Sequence, residues 1–107
     1  MTAIFNRPPD VEVYFQFNGT KNKLISDGYR PDHLIKPDYL TTGVHHYYNK
    51  STLQPNESAT GTITFITPEA YPNSLREGQK INIQEGSKVV GHATILKIFN
   101  PILKQSH

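Results

Sequence analysis

The sequence predicts an all-β domain, and three observations carry that reading. Val11 to Phe17 (VEVYFQF) alternates apolar and polar residues without a break, the signature of a strand buried on one face. Ala59 to Thr67 (ATGTITFIT) is dense in β-branched residues, which suit a pleated surface better than a helix. Turn signals built on Gly, Pro, Asn and Asp recur along the chain at roughly ten-residue spacing, the rhythm of a β-sandwich or a small barrel. Composition agrees. Of 107 residues, 36% are hydrophobic and 19% charged, below the usual share of both; Thr, Asn, Ser, Gln, Pro and Gly fill the difference.

Taken in order, the first strand is Val11 to Phe17, with Val11, Val13, Phe15 and Phe17 on its inner face. Asn18-Gly19-Thr20 turns the chain, which returns through Lys23 to Ser26 before Asp27-Gly28. Pro31 and Pro37 each remove a backbone donor, so only a short strand, His33 to Ile35, fits between them. Thr41 to Tyr48 is the next strand and Ser51 to Ser58 a loop. After Ala59 to Thr67 comes a polar connection bracketed by Pro68, Pro72 and Gly78, with one helical turn at most in Glu69 to Leu75. Gln79 to Gln84 and Lys88 to Phe99 then form a hairpin around Glu85-Gly86-Ser87. The last strand reads as apolar on both faces: Val90, Leu96 and Ile98 on one, Val89, Ala93, Ile95 and Phe99 on the other. Such a strand is buried twice or offers its second face to a partner. The length fits one domain, residues 1–107, with a core over about 11–99 and loose termini at 1–10 and 100–107.

The absence of Cys excludes disulfides and zinc thiolate sites. The net charge of +2 is too small to indicate nucleic acid by itself. No apolar run is long enough for a signal peptide or a membrane span, so the expectation is a cytoplasmic protein without membrane contact. Three N-x-S/T sequons, at Asn18, Asn49 and Asn56, are read as chance in that setting.

Several constellations could carry chemistry. His33, His45 and His46 with Asp32 or Asp38 suggest a metal site, but His45 and His46 are adjacent on a strand and point to opposite faces. One packed and one surface histidine is the plainer reading, and no metal or other cofactor is expected. His33 with Asp32, or Glu69 with Glu77, could perform acid–base chemistry, yet no nucleophile, base and orienting group can be assembled from the spacing. The chain is therefore read as a non-enzyme. Tyr29, Tyr39, Tyr47, Tyr48 and Tyr71 could stack on bases beside Arg30, Lys36 or Lys50; filling the barrel rims, ring buried and hydroxyl in water, is the simpler role.

The order of the motifs carries a resemblance. Gly28-Tyr29-Arg30-Pro31 leads into Thr41-Thr42-Gly43-Val44; Leu53-Gln54-Pro55-Asn56-Glu57 and Gly61 to Pro68 follow; Leu75-Arg76-Glu77-Gly78, Ile83 to Gly91 and Leu96-Lys97-Ile98 close the series. From about Val11 to Phe99 this resembles the third, C-terminal β-barrel domain of elongation factor Tu. The resemblance implies a closed six-stranded antiparallel barrel. It also implies a domain without chemistry of its own, which packs on a GTPase domain, contacts elongation factor Ts and holds the T arm of aminoacyl-tRNA.

On that resemblance Arg30, Asp32, His45, Glu85, Gly86 and Lys88 are the candidate contact residues. Glu85-Gly86 retains the tRNA-touching pair of the family, whereas Asp32 stands for a glutamine, His45 for a threonine and His92 for a small residue. A carboxylate at position 32 repels phosphate and weakens the tRNA role. The chain contains neither the GTPase domain nor the middle barrel of that factor. The leading expectation is thus a stand-alone binding module working through a protein partner, in the manner of a decoy or immunity protein, with self-association as one way to cover apolar surface. Weak, salt-sensitive tRNA binding is the alternative.

Overall fold

The computed structural model describes residues 7–105. It contains eight strands: β1 (Val11–Phe17), β2 (Ile25–Ser26), β3 (Asp32–Lys36), β4 (Tyr39–Tyr47), β5 (Thr52–Leu53), β6 (Ser58–Phe65), β7 (Lys80–Glu85) and β8 (Lys88–Ile98). Six of them close into an antiparallel barrel in the order β1-β6-β4-β3-β7-β8, with β8 returning to β1. The remaining pair, β2 and β5, forms a two-stranded sheet of its own.

Alternation decides which side chains fill the barrel. Val11, Val13, Phe15 and Phe17 of β1 point inward and are buried; Tyr14 and Gln16 are exposed. Each large apolar side chain buried this way contributes about 1.5–3 kcal/mol. Ile63 and Phe65 of β6, Ile81 and Ile83 of β7, and Ala93 and Ile95 of β8 complete the wall. Tyr71, Leu75 and Leu103 are likewise buried and lie on the connections outside the barrel strands. A 3₁₀ turn at Pro68–Ala70 is all the helix that the β6–β7 connection makes.

Three expectations change. The return through Lys23 to Ser26 shrinks to Ile25–Ser26, which pairs with Thr52–Leu53, inside the segment read as a loop. The two continuous faces of the last strand do not exist, because β8 carries two irregularities. One falls where Ile83 pairs with Gly91 but Gln84 with Val89, leaving Val90 extra; the other falls where Glu12 pairs with Lys97 but Val13 with Ile95, leaving Leu96 extra. Val90 and Leu96 share a parity in sequence, yet Val90 is fully buried and Leu96 is exposed. The termini, finally, are tied down within the described residues. Pro101–Leu103 forms a second 3₁₀ turn that buries Leu103, and Lys104 bridges Leu75.

Asp10 ties the other end. Its carboxylate is buried and accepts from the Phe65 amide at 2.7 Å, the Asn100 side-chain amide at 2.9 Å and the Arg7 guanidinium at 2.8 Å. Its own amide donates to Ile63, and its carbonyl accepts from Phe99 and Asn100. One residue thus joins the entry to β1, the end of β6 and the end of β8.

Candidate functional site

The turn between β7 and β8 places Gly86 at φ 62°, a left-handed conformation that glycine adopts without strain. Beside it, Glu85 and Lys88 face each other as the last pair of the hairpin. The Glu85 carboxylate accepts from Lys21 at 2.8 Å and from the Tyr29 hydroxyl. Lys21 and, next, Tyr29 hold the Glu85 carboxyl below its ordinary range. Burial and the adjacent Glu85 push the Tyr29 phenol well up. Lys21 also lies over the Tyr29 ring, 5.1 Å from its centre.

Arg30 follows Tyr29 and is exposed. Asp32 starts β3 directly opposite Gln84, where its carboxylate accepts from the Thr42 hydroxyl at 3.0 Å. Gln84 in turn donates to the Gly86 carbonyl at 2.9 Å, which fixes the turn. Glu85, Gly86 and Lys88 therefore share the β7–β8 turn, Asp32 stands beside it opposite Gln84, and Arg30 is exposed two residues before Asp32. A shallow depression of about 440 Å³ lies beside them, lined by Leu34, Asp38, Leu40, Gln84, Gly86 and Ser87. The rim offers cations, carboxylates and a bare backbone turn within a short span, an arrangement suited to contact.

His45 does not belong to that rim. It is fully buried and points into the barrel, so it offers no surface to a macromolecule. Its place follows from β4, where Thr41, Gly43, His45 and Tyr47 take the inner face and His46 the outer. Of the two adjacent histidines, one is packed and one exposed.

His45 meets His33, also fully buried, with 2.7 Å between their Nε2 atoms. The other nitrogen of His33 reaches the Thr41 carbonyl at 3.2 Å, and that of His45 reaches the Tyr47 hydroxyl at 2.9 Å. Gly43 makes room for this pair: a Cβ there would stand 3.0 Å from the His33 ring and 2.7 Å from Ile63. Burial lowers His33 to about 4, against the opposing pull of the Thr41 carbonyl and Asp32. Burial and then His33 itself hold His45 well below the ordinary value.

The sequence groups His33 with His45, His46 and Asp32 or Asp38, and it gives no sign of the contacts made by Lys21 and Asp10. No group of three or more His, Asp or Glu side chains that could hold a metal occurs among the described residues. No helix among them is long and apolar enough to cross a membrane. No protein-family model matches the sequence.

Proposed function

We propose that the chain is a non-catalytic binding module, shaped like the third barrel of elongation factor Tu, that engages a protein partner through the rim around Gly86. One observation carries the reading. Side chains fill the barrel, while Glu85, Gly86 and Lys88 lie outside it at one turn, with Asp32 opposite Gln84 on the neighbouring strand. A decoy or immunity role is one form of such contact. The experiment is affinity capture with the intact chain and with an Arg30→Glu/Lys88→Glu variant whose fold is checked by circular dichroism. A partner held by the first and released by the second supports the proposal; equal retention by both counts against the rim.

The alternative is attachment to a tRNA arm. Lys21, Arg30 and Lys88 close to an exposed backbone turn favour it, because such turns let phosphate approach closely. Binding of that kind weakens steeply with salt. Amide shifts at Glu85, Gly86 and Lys88 on adding tRNA at low salt, fading at moderate salt, are the expected result; unmoved rim amides at low salt exclude it.

A further inference from the structure

Hydrogen-bond chemistry fixes where the protons of the buried histidine pair sit. The Thr41 carbonyl can only accept, so His33 carries its proton on Nδ1 and, when neutral, presents a bare Nε2. His45 must then donate from its own Nε2, which leaves its Nδ1 bare to accept from the Tyr47 hydroxyl. With both rings neutral, this one arrangement satisfies all three bonds.

A proton added to His33 Nε2 sets donor against donor; one added to His45 Nδ1 turns the Tyr47 hydroxyl into an acceptor but leaves a cation buried without a counter-charge in contact. β1 and β6 present Phe15, Phe17, Ile63 and Phe65 to the pair, and β7 presents Ile83. The titratable neighbours are Tyr47 on β4 and Tyr29 ahead of β3, both phenols. Asp32 on β3 bonds outward to Thr42; Glu85 and Asp27 stand behind the two tyrosines, and His46 faces Asp27 on the outside. A charged imidazole here has no carboxylate to meet.

Among the six barrel strands, the one that carries His33 is also the one held least. β3 sends only His33 and Ile35 fully into the core. It joins β7 through three pairs, Asp32–Gln84, His33–Ile83 and Leu34–Asn82, whereas β1 meets β6 through six and β8 through seven. We propose that the His33–His45 pair is an acid-sensitive latch and that acidification opens the barrel along the β3–β7 seam. Opening hydrates both rings, frees the Gly86 rim from its β3 support at Asp32, and leaves the edges of β3 and β7 unpaired. The burial that depresses both imidazoles supports the direction of the effect.

The test is amide hydrogen exchange on the intact chain between pH 7 and pH 5, corrected for intrinsic exchange. Each histidine that takes up a proton on opening makes the open form about tenfold more populated per pH unit below 6.5. Protection at β3 and β7 amides is expected to fall by at least that factor per unit, while β1 and β6 amides keep theirs. A His33→Gln/His45→Leu variant should lose the pH dependence. Should that variant fail to fold, imidazole ¹⁵N shifts of the unaltered chain decide: neutral rings at pH 6, protonated at Nδ1 in His33 and at Nε2 in His45, are required. Seam protection that ignores pH, a loss spread evenly over all strands, or a charged ring in the folded barrel at pH 6 overturns the proposal.

Discussion

Replacing Asp10 by Asn keeps the shape of the side chain and changes only its charge and one acceptor. In the barrel, Oδ2 accepts from the Phe65 amide and Oδ1 from both Asn100 and Arg7. An asparagine has one accepting oxygen and one donating amide. With the oxygen toward Phe65, its NH₂ confronts the donors of Asn100 and Arg7; flipped, it confronts the Phe65 N–H. Either way donors face donors in a site that is 1% exposed. Removing one partner of a buried ion pair costs about 3–5 kcal/mol. Arg7 is 31% exposed and can turn to water, so the lower end, about 3 kcal/mol, is the figure for Asp10→Asn. For a domain of this size that lowers the melting midpoint by roughly 12–24 °C. Urea denaturation followed by far-ultraviolet circular dichroism and tyrosine fluorescence measures it, the chain having 6 Tyr and 0 Trp. Arg7→Ala should cost about 1 kcal/mol, and the two substitutions should combine less than additively. An Asp10→Asn barrel within 1 kcal/mol of the unaltered one refutes the assignment of Asp10 as the residue that joins β1, β6 and β8.

Further outcomes are expected elsewhere. Because His33 is lowered to about 4 in the folded barrel and sits near 6.5 unfolded, the unfolded chain binds more protons between those values; stability is full above pH 6.5 and falls by about 3 kcal/mol from His33 alone on reaching pH 4, as urea midpoints against pH will show. Gly61→Ala places a Cβ 1.9 Å from the His46 carbonyl oxygen and should cost at least the 1–3 kcal/mol typical of overpacking, whereas Gly78→Ala meets no atom within 4 Å and should cost about 1–2 kcal/mol from its φ of 87°. Equal losses in thermal melts would contradict that contrast. Tyr29→Phe removes one of two donors from Glu85, so its carboxyl should titrate closer to the ordinary range at a cost near 1 kcal/mol. A carbon-detected titration of Glu85 that does not move would leave Lys21 and Lys88 as the causes.

Where the chain alternates cleanly, the sequence alone places the strand. β1 is readable because its inner apolar and outer polar positions differ in kind, β6 from its density of β-branched residues, and the β7–β8 hairpin from its Glu85-Gly86-Ser87 turn. β2 and β5 are not, since two residues carry no period; they pair because the flanking turns bring Ile25 beside Leu53 and bury both. The bulges at Val90 and Leu96 leave no mark in a run where every parity is apolar. The candidate site divides the same way. Glu85, Gly86 and Lys88 are close in sequence and obligatorily close in space. Asp32 comes near them only through the β3–β7 register, which local pattern does not encode. His45 was ambiguous because both faces of Thr41 to Tyr48 mix polar and apolar residues; the glycine that admits the His33 ring, Gly43, shares its parity and is the one local clue. Asp10 looked like part of a loose end, since nothing near it in sequence reveals partners at Phe65 and Asn100.

The pairing of β1 with β8 sets a condition on synthesis. Val11 meets Ile98, so the ring cannot close fully until the chain has grown through β8, the last strand described. During translation the first strand therefore waits beside β6 with its other edge open, exposing the alternating Val11–Phe17 segment to any strand that comes near. Refolding in dilute solution should be slow for so small a domain, since loop closure over nearly the whole chain precedes the contacts that reward it. Chaperone capture of the nascent protein, if it occurs, belongs in the interval between the emergence of β6 and that of β8.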